Sequence, residues 1–433
     1  MRASPRGGVR RAVAAVSMTM LVLAAAACGG SDEPGTDDNA PVTLQFVWWG
    51  NDDRAEKTRQ AVELFESKHP NITVETSFAA YDAYFQKLST QIAGGDVPDV
   101  VQMDRAYFRE YAERNALLDL TPYLGRTLRN EKVAQVLKPA GEFGDAVYGI
   151  PAGLTTQGLA YDPALWEKAG VAAPSTTWTW DDFLAAATKL SQSSGGKVAG
   201  TTDFGWAIDW FDAWLQQRGK TLYTEDAKLG FTTDELNQFW DLTKRFRDAG
   251  ATTPAEVTTQ MDGAMPTSAL VKKVSYSEIN YDSSFTAYRS SYGESVAYGP
   301  LPSDTDKRGM VAHASMSFSV GRATEHPDQA TMLVDFLIND VEAGKILGVA
   351  RGLPTNTDVL AAVAPSLSPG DKAVYDYQQS VTSLLLPTPP AQPKGGGAIK
   401  QEFQRVYDEI IFGRISNADG AKRLVDEAEN LLN

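Results

Sequence analysis

From Val42 onward the chain alternates between short apolar runs and longer stretches with helical spacing. Val42-Thr43-Leu44-Gln45-Phe46-Val47-Trp48-Trp49 reads as a buried strand closed by Gly50. Asn51 to Lys68 places Ala55, Thr58, Val62 and Phe65 on one face and predicts a helix, which His69-Pro70-Asn71 stops. Residues 72–76 predict a second strand, 81–93 a second helix, and 99–103 a third strand after the turn Gly94-Gly95-Asp96-Val97-Pro98. This order is that of a doubly wound α/β fold with a parallel sheet, in which ligands sit beyond the carboxyl ends of the strands. Those ends lie near Trp49-Gly50-Asn51 and near Asp104. Farther on, Thr179 with Asp181-Asp182 marks a helix start ahead of Phe183, Leu184, Ala187 and Leu190. Residues 233–248, 327–339, 398–412 and 418–432 read as further helices, and Pro387 to Gly397 as a loop. There is no internal repeat and no heptad pattern.

At 433 residues the chain exceeds what one core normally supports, so two lobes are expected. The net charge is −15, from 40 Lys and Arg against 55 Asp and Glu. So acidic a body repels phosphate backbones, which excludes nucleic acid as an expected partner. No GxGxxG follows the first strand and no Gly-rich loop ends in Lys-Ser/Thr, so nucleotide binding has no support. One Cys and three scattered His supply neither a disulfide nor a metal site, and neither metal nor cofactor is expected.

The charge is unevenly placed. Arg2, Arg6, Arg10 and Arg11 precede an apolar run from Ala12 to Ala27, and no acid occurs before Asp32. A basic start, a short apolar stretch and small residues ahead of Cys28 read as a secretory signal over residues 1–27. Ala25-Ala26-Ala27-Cys28-Gly29 resembles a bacterial lipobox, with Ala25 standing where Leu is usual; that implies lipidation of Cys28 and anchoring to the outer face of the cell membrane. Residues 28–41, polar and rich in Gly, Asp and Pro, then read as a flexible tether.

Several segments together resemble the extracellular solute-binding proteins of family 1, the sugar-type receptors of ABC importers. Gly149-Ile150-Pro151 through Tyr161-Asp162-Pro163 to Lys168-Ala169-Gly170 is similar to the family signature, with departures at Gly153, Ala160 and Trp166. Ala93-Gly94-Gly95-Asp96-Val97-Pro98-Asp99-Val100, Gln216 to Tyr223 and Arg351-Gly352-Leu353-Pro354-Thr355-Asn356 agree in order and spacing. The resemblance implies an α/β, two-lobe, periplasmic-binding-protein-like fold of type II with the ligand cleft between the lobes. Crossovers are expected near 153–157, 313–318 and 364–371. One lobe then holds 42–153 with 316–366, the other 154–313 with 370–433. It also implies a carbohydrate ligand, delivery to the permease subunits of an ABC transporter, no catalysis and a monomer.

Sugars offer flat C–H faces to aromatic rings and hydroxyls to carboxylates, amides and guanidinium groups. Trp48 and Trp49 face opposite sides of one strand, so only one points into the cleft, and Trp49 is the expected one, with Asn51 and Asp52 beside it. Tyr81 and Asp104 flank strand ends, and Gln157 sits on the first crossover. Trp206 and Trp210 are four residues apart and share a face if helical. By the resemblance, Asn280 and Tyr281 stand on a pocket wall. His313 lies by a crossover, and Arg351 is expected to bond ligand or to bridge the lobes. Two other readings stay open: the same scaffold holding a peptide or polyamine, or a secreted glycan-cleaving enzyme using adjacent acids such as Asp52-Asp53 or Asp181-Asp182.

Overall fold

The computed structural model describes residues 40–261, 265–389 and 392–432. The signal, Cys28 and all of the tether but its last two residues lie outside the described residues. The first sheet is built from β1 (Val42–Trp49), β2 (Ile72–Ala79), β3 (Val100–Met103), β6 (Ile150–Thr155) and β10 (His313–Val320), in the order β2-β1-β3-β10-β6. A small hairpin, β4 (Glu142–Phe143) with β5 (Ala146–Val147), precedes β6. The second sheet is β8-β7-β9, from β7 (Gln157–Tyr161), β8 (Ser277–Tyr281) and β9 (Ala297–Gly299).

Three strands of the first sheet are parallel: Val42 pairs with Ile72 along β1 and β2, and Phe46 with Val100 along β1 and β3. The expected all-parallel sheet fails at β10, which runs antiparallel to both β3 and β6. The reason is topological. β6 leaves the sheet at the carboxyl ends of the parallel strands, and Thr156 alone separates it from β7 in the other sheet. β10 re-enters at that same end and therefore runs opposite to its neighbours.

In the first lobe, α1 (Asp52–Lys68) and α10 (Pro327–Asn339) cover one face of the sheet. α2 (Tyr81–Gly94) and α3 (Arg105–Glu113) cover the other. Pleating separates the two tryptophans of β1: Trp48 is fully buried against Phe46 and Phe78, and Trp49 faces α2. Next come α4 (Pro163–Lys168), α5 (Trp180–Ser193), α6 (Ile208–Gln217), α7 (Thr233–Asp248), α8 (Ala255–Thr258) and α9 (Phe285–Ser291). After β10 and α10 follow α11 (Val341–Leu347), α12 (Thr357–Val363), α13 (Pro369–Val381), α14 (Gly396–Ile411) and α15 (Asn417–Leu432). The core beside the second sheet is aromatic: Trp166, Trp178, Trp180, Trp214 and Trp240 pack with Phe183, Phe204, Phe239 and Phe403. Most of the tryptophan-rich middle of the chain is therefore packing.

Local chemistry sets the helix starts. Thr179 and Asp182 form a reciprocal capping box on α5, and Asp181 pairs with Arg245, so this acid pair is engaged in structure. Asn51 caps α1 and Asp104 caps α3. Gly153, one of the departures from the family signature, is required where it stands. A Cβ there would meet the backbone oxygen of Arg351 at 1.7 Å. Among the described residues no helix is long and apolar enough to cross a membrane.

Candidate ligand cleft

The carboxyl ends of β1 and β3 face α6, α14 and the end of β8 across the crossover strands. On the first-lobe side, Tyr81 opens α2 with 37% of its surface exposed and meets Trp49 edge to face at 5.5 Å. Trp49 itself is 8% exposed and packed among Tyr84 and Phe85, so it backs Tyr81, and Tyr81 carries the open aromatic surface. Burial raises the Asp104 carboxyl above its ordinary range. The Ala106 N–H, the Tyr81 hydroxyl and the Arg105 and Lys400 cations pull it back down. Lys400 belongs to α14, so the Asp104 carboxyl feels a cation from the opposite wall.

On the second-lobe side Asp209 of α6 is the centre. It accepts from the Tyr281 hydroxyl at 3.0 Å and from the Lys400 ammonium at 2.9 Å. Burial pushes its carboxyl up, and those two partners outweigh burial and hold it below the ordinary value. The Lys400 side chain keeps 56% of its surface and Asp209 keeps 26%, so water reaches the pair. Trp210 packs on Tyr281 at 5.5 Å, and Tyr281 meets His313 edge to face at 5.3 Å. One turn along α6, burial lifts Asp212 to about 6; Arg105 opposes that shift and Asp209 adds to it.

The crossovers close the back of the cleft. The Val311 N–H binds Gln157 Oε1 at 3.1 Å, which turns the Gln157 amide nitrogen toward His313 Nε2 at 2.9 Å. Burial, reinforced by Arg105, lowers His313 to about 3, so the ring is neutral. With Nε2 accepting, this network assigns the ring proton to Nδ1, which faces Arg105 Nη1 at 3.5 Å. Arg109 of α3 also reaches the Glu225 carbonyl at 3.2 Å, a direct contact between the walls.

The structure thus gathers Trp49, Tyr81, Asp104, Gln157, Trp210, Tyr281 and His313 around one crevice and leaves five expected residues outside that group. Asn280 alternates with Tyr281 on β8 and so points the other way, bonded to the Tyr288 hydroxyl at 2.8 Å. Arg351 is 5% exposed inside the first lobe, where it donates to Gln102 and Thr58, bridging neither lobe nor cleft. Trp206 precedes α6 in a turn, so the shared helical face with Trp210 does not exist; it is half-buried against the aromatic core. Asn51 gives its side-chain oxygen to the Arg54 N–H as a helix cap, and Asp52 is exposed in the first turn of α1.

Four cleft residues were missed. Arg105 directly follows the Asp104 that strand-end reasoning had already selected. Asp209 and Asp212 are acids three apart on a helix flanking Trp210, a pattern that apolar periodicity alone passes over. Lys400 sits on a helix read only for its apolar face. No group of three or more His, Cys, Asp or Glu among the described residues is arranged to hold a metal ion. The crevice presents hydrogen-bond donors, acceptors and aromatic edges together.

Two α/β lobes joined by crossover strands are the architecture of a periplasmic solute-binding protein. The chain belongs to the bacterial extracellular solute-binding proteins, whose family model matches residues 51–343. It is similar to an extracellular solute-binding protein of family 1 from Alicyclobacillus acidocaldarius. That structure is 30% identical, with a TM-score of 0.75, over 91% of this chain and 99% of the other. An uncharacterized lipoprotein of Streptomyces antibioticus is 28% identical over 180 residues, 41% of this chain and 39% of that one. The melibiose/raffinose/stachyose-binding protein of Bacillus subtilis is 27% identical over 191 residues, 42% and 40% of the two chains. These alignments span about two-fifths of the length of both relatives.

Proposed function

We propose that this protein captures a carbohydrate, an oligosaccharide, by closing its two lobes on it, and hands it to the permease of an ABC importer. The observation that carries this reading is the crevice itself. Tyr81 offers ring surface, backed on the other wall by Trp210 and Tyr281, Asp209 and Lys400 an acceptor and donor side by side, and Arg105 and His313 polar groups at the back. A ring-shaped polyol needs all three at once. Contacts from both walls form together only when the lobes are closed, so ligand biases the protein toward the closed state. The lobes are taken as 42–153 with 316–366 and 154–313 with 370–433. The similarity to a protein that binds melibiose, raffinose and stachyose supports the ligand class. Cys28, carrying lipid, would hold the receptor at the membrane, a reading supported by the similarity to a named lipoprotein.

A thermal-shift screen against mono-, di- and oligosaccharides, polyamines and peptides tests the proposal. Ligand at 100-fold its Kd stabilises the native state by about 2.7 kcal/mol, a measurable shift in Tm. The expected result is a shift with an oligosaccharide recovered intact. A response to amines or peptides alone would overturn the ligand, and a cleaved sugar would overturn the receptor.

A further inference from the structure

The crossover strands have a second side. His313 and Gln157 face Arg105 and Tyr281, whereas Leu154 and Ser315 face a separate cavity of about 590 Å³. One wall of this cavity is the start of α1 with residues 349–353, and the other is the start of α13 with Asp282 and Ser283. None of the residues that form the ligand crevice lines it.

Two arginines stand in its first wall. Arg54 donates from Nε to the Ala350 carbonyl and from Nη1 to the Trp49 carbonyl, both at 2.9 Å. Arg351 donates from Nε to Gln102 and from Nη2 to Thr58, and its Nη1 is buried with no partner. All these acceptors are neutral. The charged group that acts on Arg351 is Arg54, a like charge, and burial drives Arg351 well below its usual range. Burial likewise lowers Arg54 to about 10, with only the partly compensating charge of Asp53 beside it. Asp53 is itself paired with Lys57 at 2.9 Å. Buried guanidinium groups are normally matched by an acid, because their desolvation is otherwise uncompensated.

We propose that this cavity is a binding site for a small oxyanion, a phosphate or a carboxylate, held by Arg54 with the Arg351 charge behind it. A planar guanidinium suits either oxyanion, since both present paired oxygens at the right spacing. Asp53, itself held by Lys57, is the acid that acts on Arg54, and the charge that acts on Arg351 is only that of Arg54, while Asp282 and Asp371 stand on the other wall. The oxyanion adds negative charge on the arginine side, and the cavity has room for it there.

Isothermal titration of the purified protein with inorganic phosphate and with citrate, against chloride at matched ionic strength, tests this. Phosphate, citrate or both should bind saturably where chloride does not, and the responding anion identifies the class. Arg54→Gln should weaken binding by about tenfold or more, and Arg54→Lys should restore part of it. Asp53→Asn, at an exposed position, leaves the fold intact, removes a competing negative charge and should tighten binding about threefold. Responses no different from chloride, or affinities unchanged in both Arg54→Gln and Asp53→Asn, would overturn the proposal. Loss of folding in Arg54→Gln leaves Asp53→Asn to decide.

Discussion

Asp282 sits where the second lobe grips the crossover, and its protonation should be legible in the stability of the whole chain. One carboxylate oxygen accepts from the Thr155 hydroxyl at 2.6 Å and the Thr156 N–H at 3.0 Å, and the other from Gln378 at 2.8 Å. Burial nevertheless outweighs these donors and lifts the carboxyl from 3.8 to about 6. An acid whose pKa is raised in the folded state binds its proton more tightly there than in the unfolded chain. The ionised group therefore destabilises the fold above pH 6, and the cost is relieved as pH falls from 6 toward 3.8. Two pKa units correspond to about 3 kcal/mol, of which about 2 kcal/mol is recovered between pH 7 and pH 4.5. Asp282→Asn keeps the shape and removes the titration. Its own penalty, an amide nitrogen set against the Gln378 donor, is independent of pH. Urea unfolding of both proteins at pH 7 and pH 4.5 gives two differences in stability. The variant should lose about 2 kcal/mol against wild type on going from pH 7 to 4.5. Asp212, also raised to about 6, and His313, lowered to about 3, titrate in both proteins and cancel. A stability difference that does not change with pH would refute the burial argument.

Asp209→Asn should cost under about 1 kcal/mol in unfolding experiments, because Lys400 is largely solvated, yet weaken the saccharide found in the screen at least about tenfold by calorimetry. Tyr81→Ala, at a residue 37% exposed, should leave Tm nearly unchanged and weaken that saccharide by roughly threefold to tenfold. Phe403→Ala empties a fully buried position against Phe211 and Trp240 and should cost about 3–5 kcal/mol in urea unfolding, with ligand affinity unchanged while folded. Cys28→Ala should move the exported protein from the membrane fraction to the aqueous fraction on detergent phase separation.

The elements that sequence pattern predicts well are those whose burial is one-sided. α1 and α10 each present a polar face to water and an apolar stripe to a sheet, and α7 presents its stripe to neighbouring helices, so the 3.6-residue period is written plainly. β10 is different. Its burial is continuous from Met316 to Val320, so pattern marks a strand but says nothing of its direction. Direction follows from the route of the chain through the other lobe, a long-range fact that no local window contains.

The same distinction governs the cleft. Strand-end reasoning reached Asp104 because the fold class alone says where strand ends point. It could not reach Lys400, which approaches from nearly three hundred residues away and earns its place only through Asp209. Nor could it separate Asn280 from Tyr281, since a one-residue difference in register on β8 decides which of the two faces Asp209 and which faces Tyr288. Arg351 misled for the opposite reason: a charged residue in a recognisable turn suggests a ligand, yet the backbone of that turn packs onto Gly153 and carries the guanidinium inward, beneath the sheet. Residue type thus announces chemistry, while the pairing of strands from distant parts of the chain decides which side of the crossover that chemistry serves.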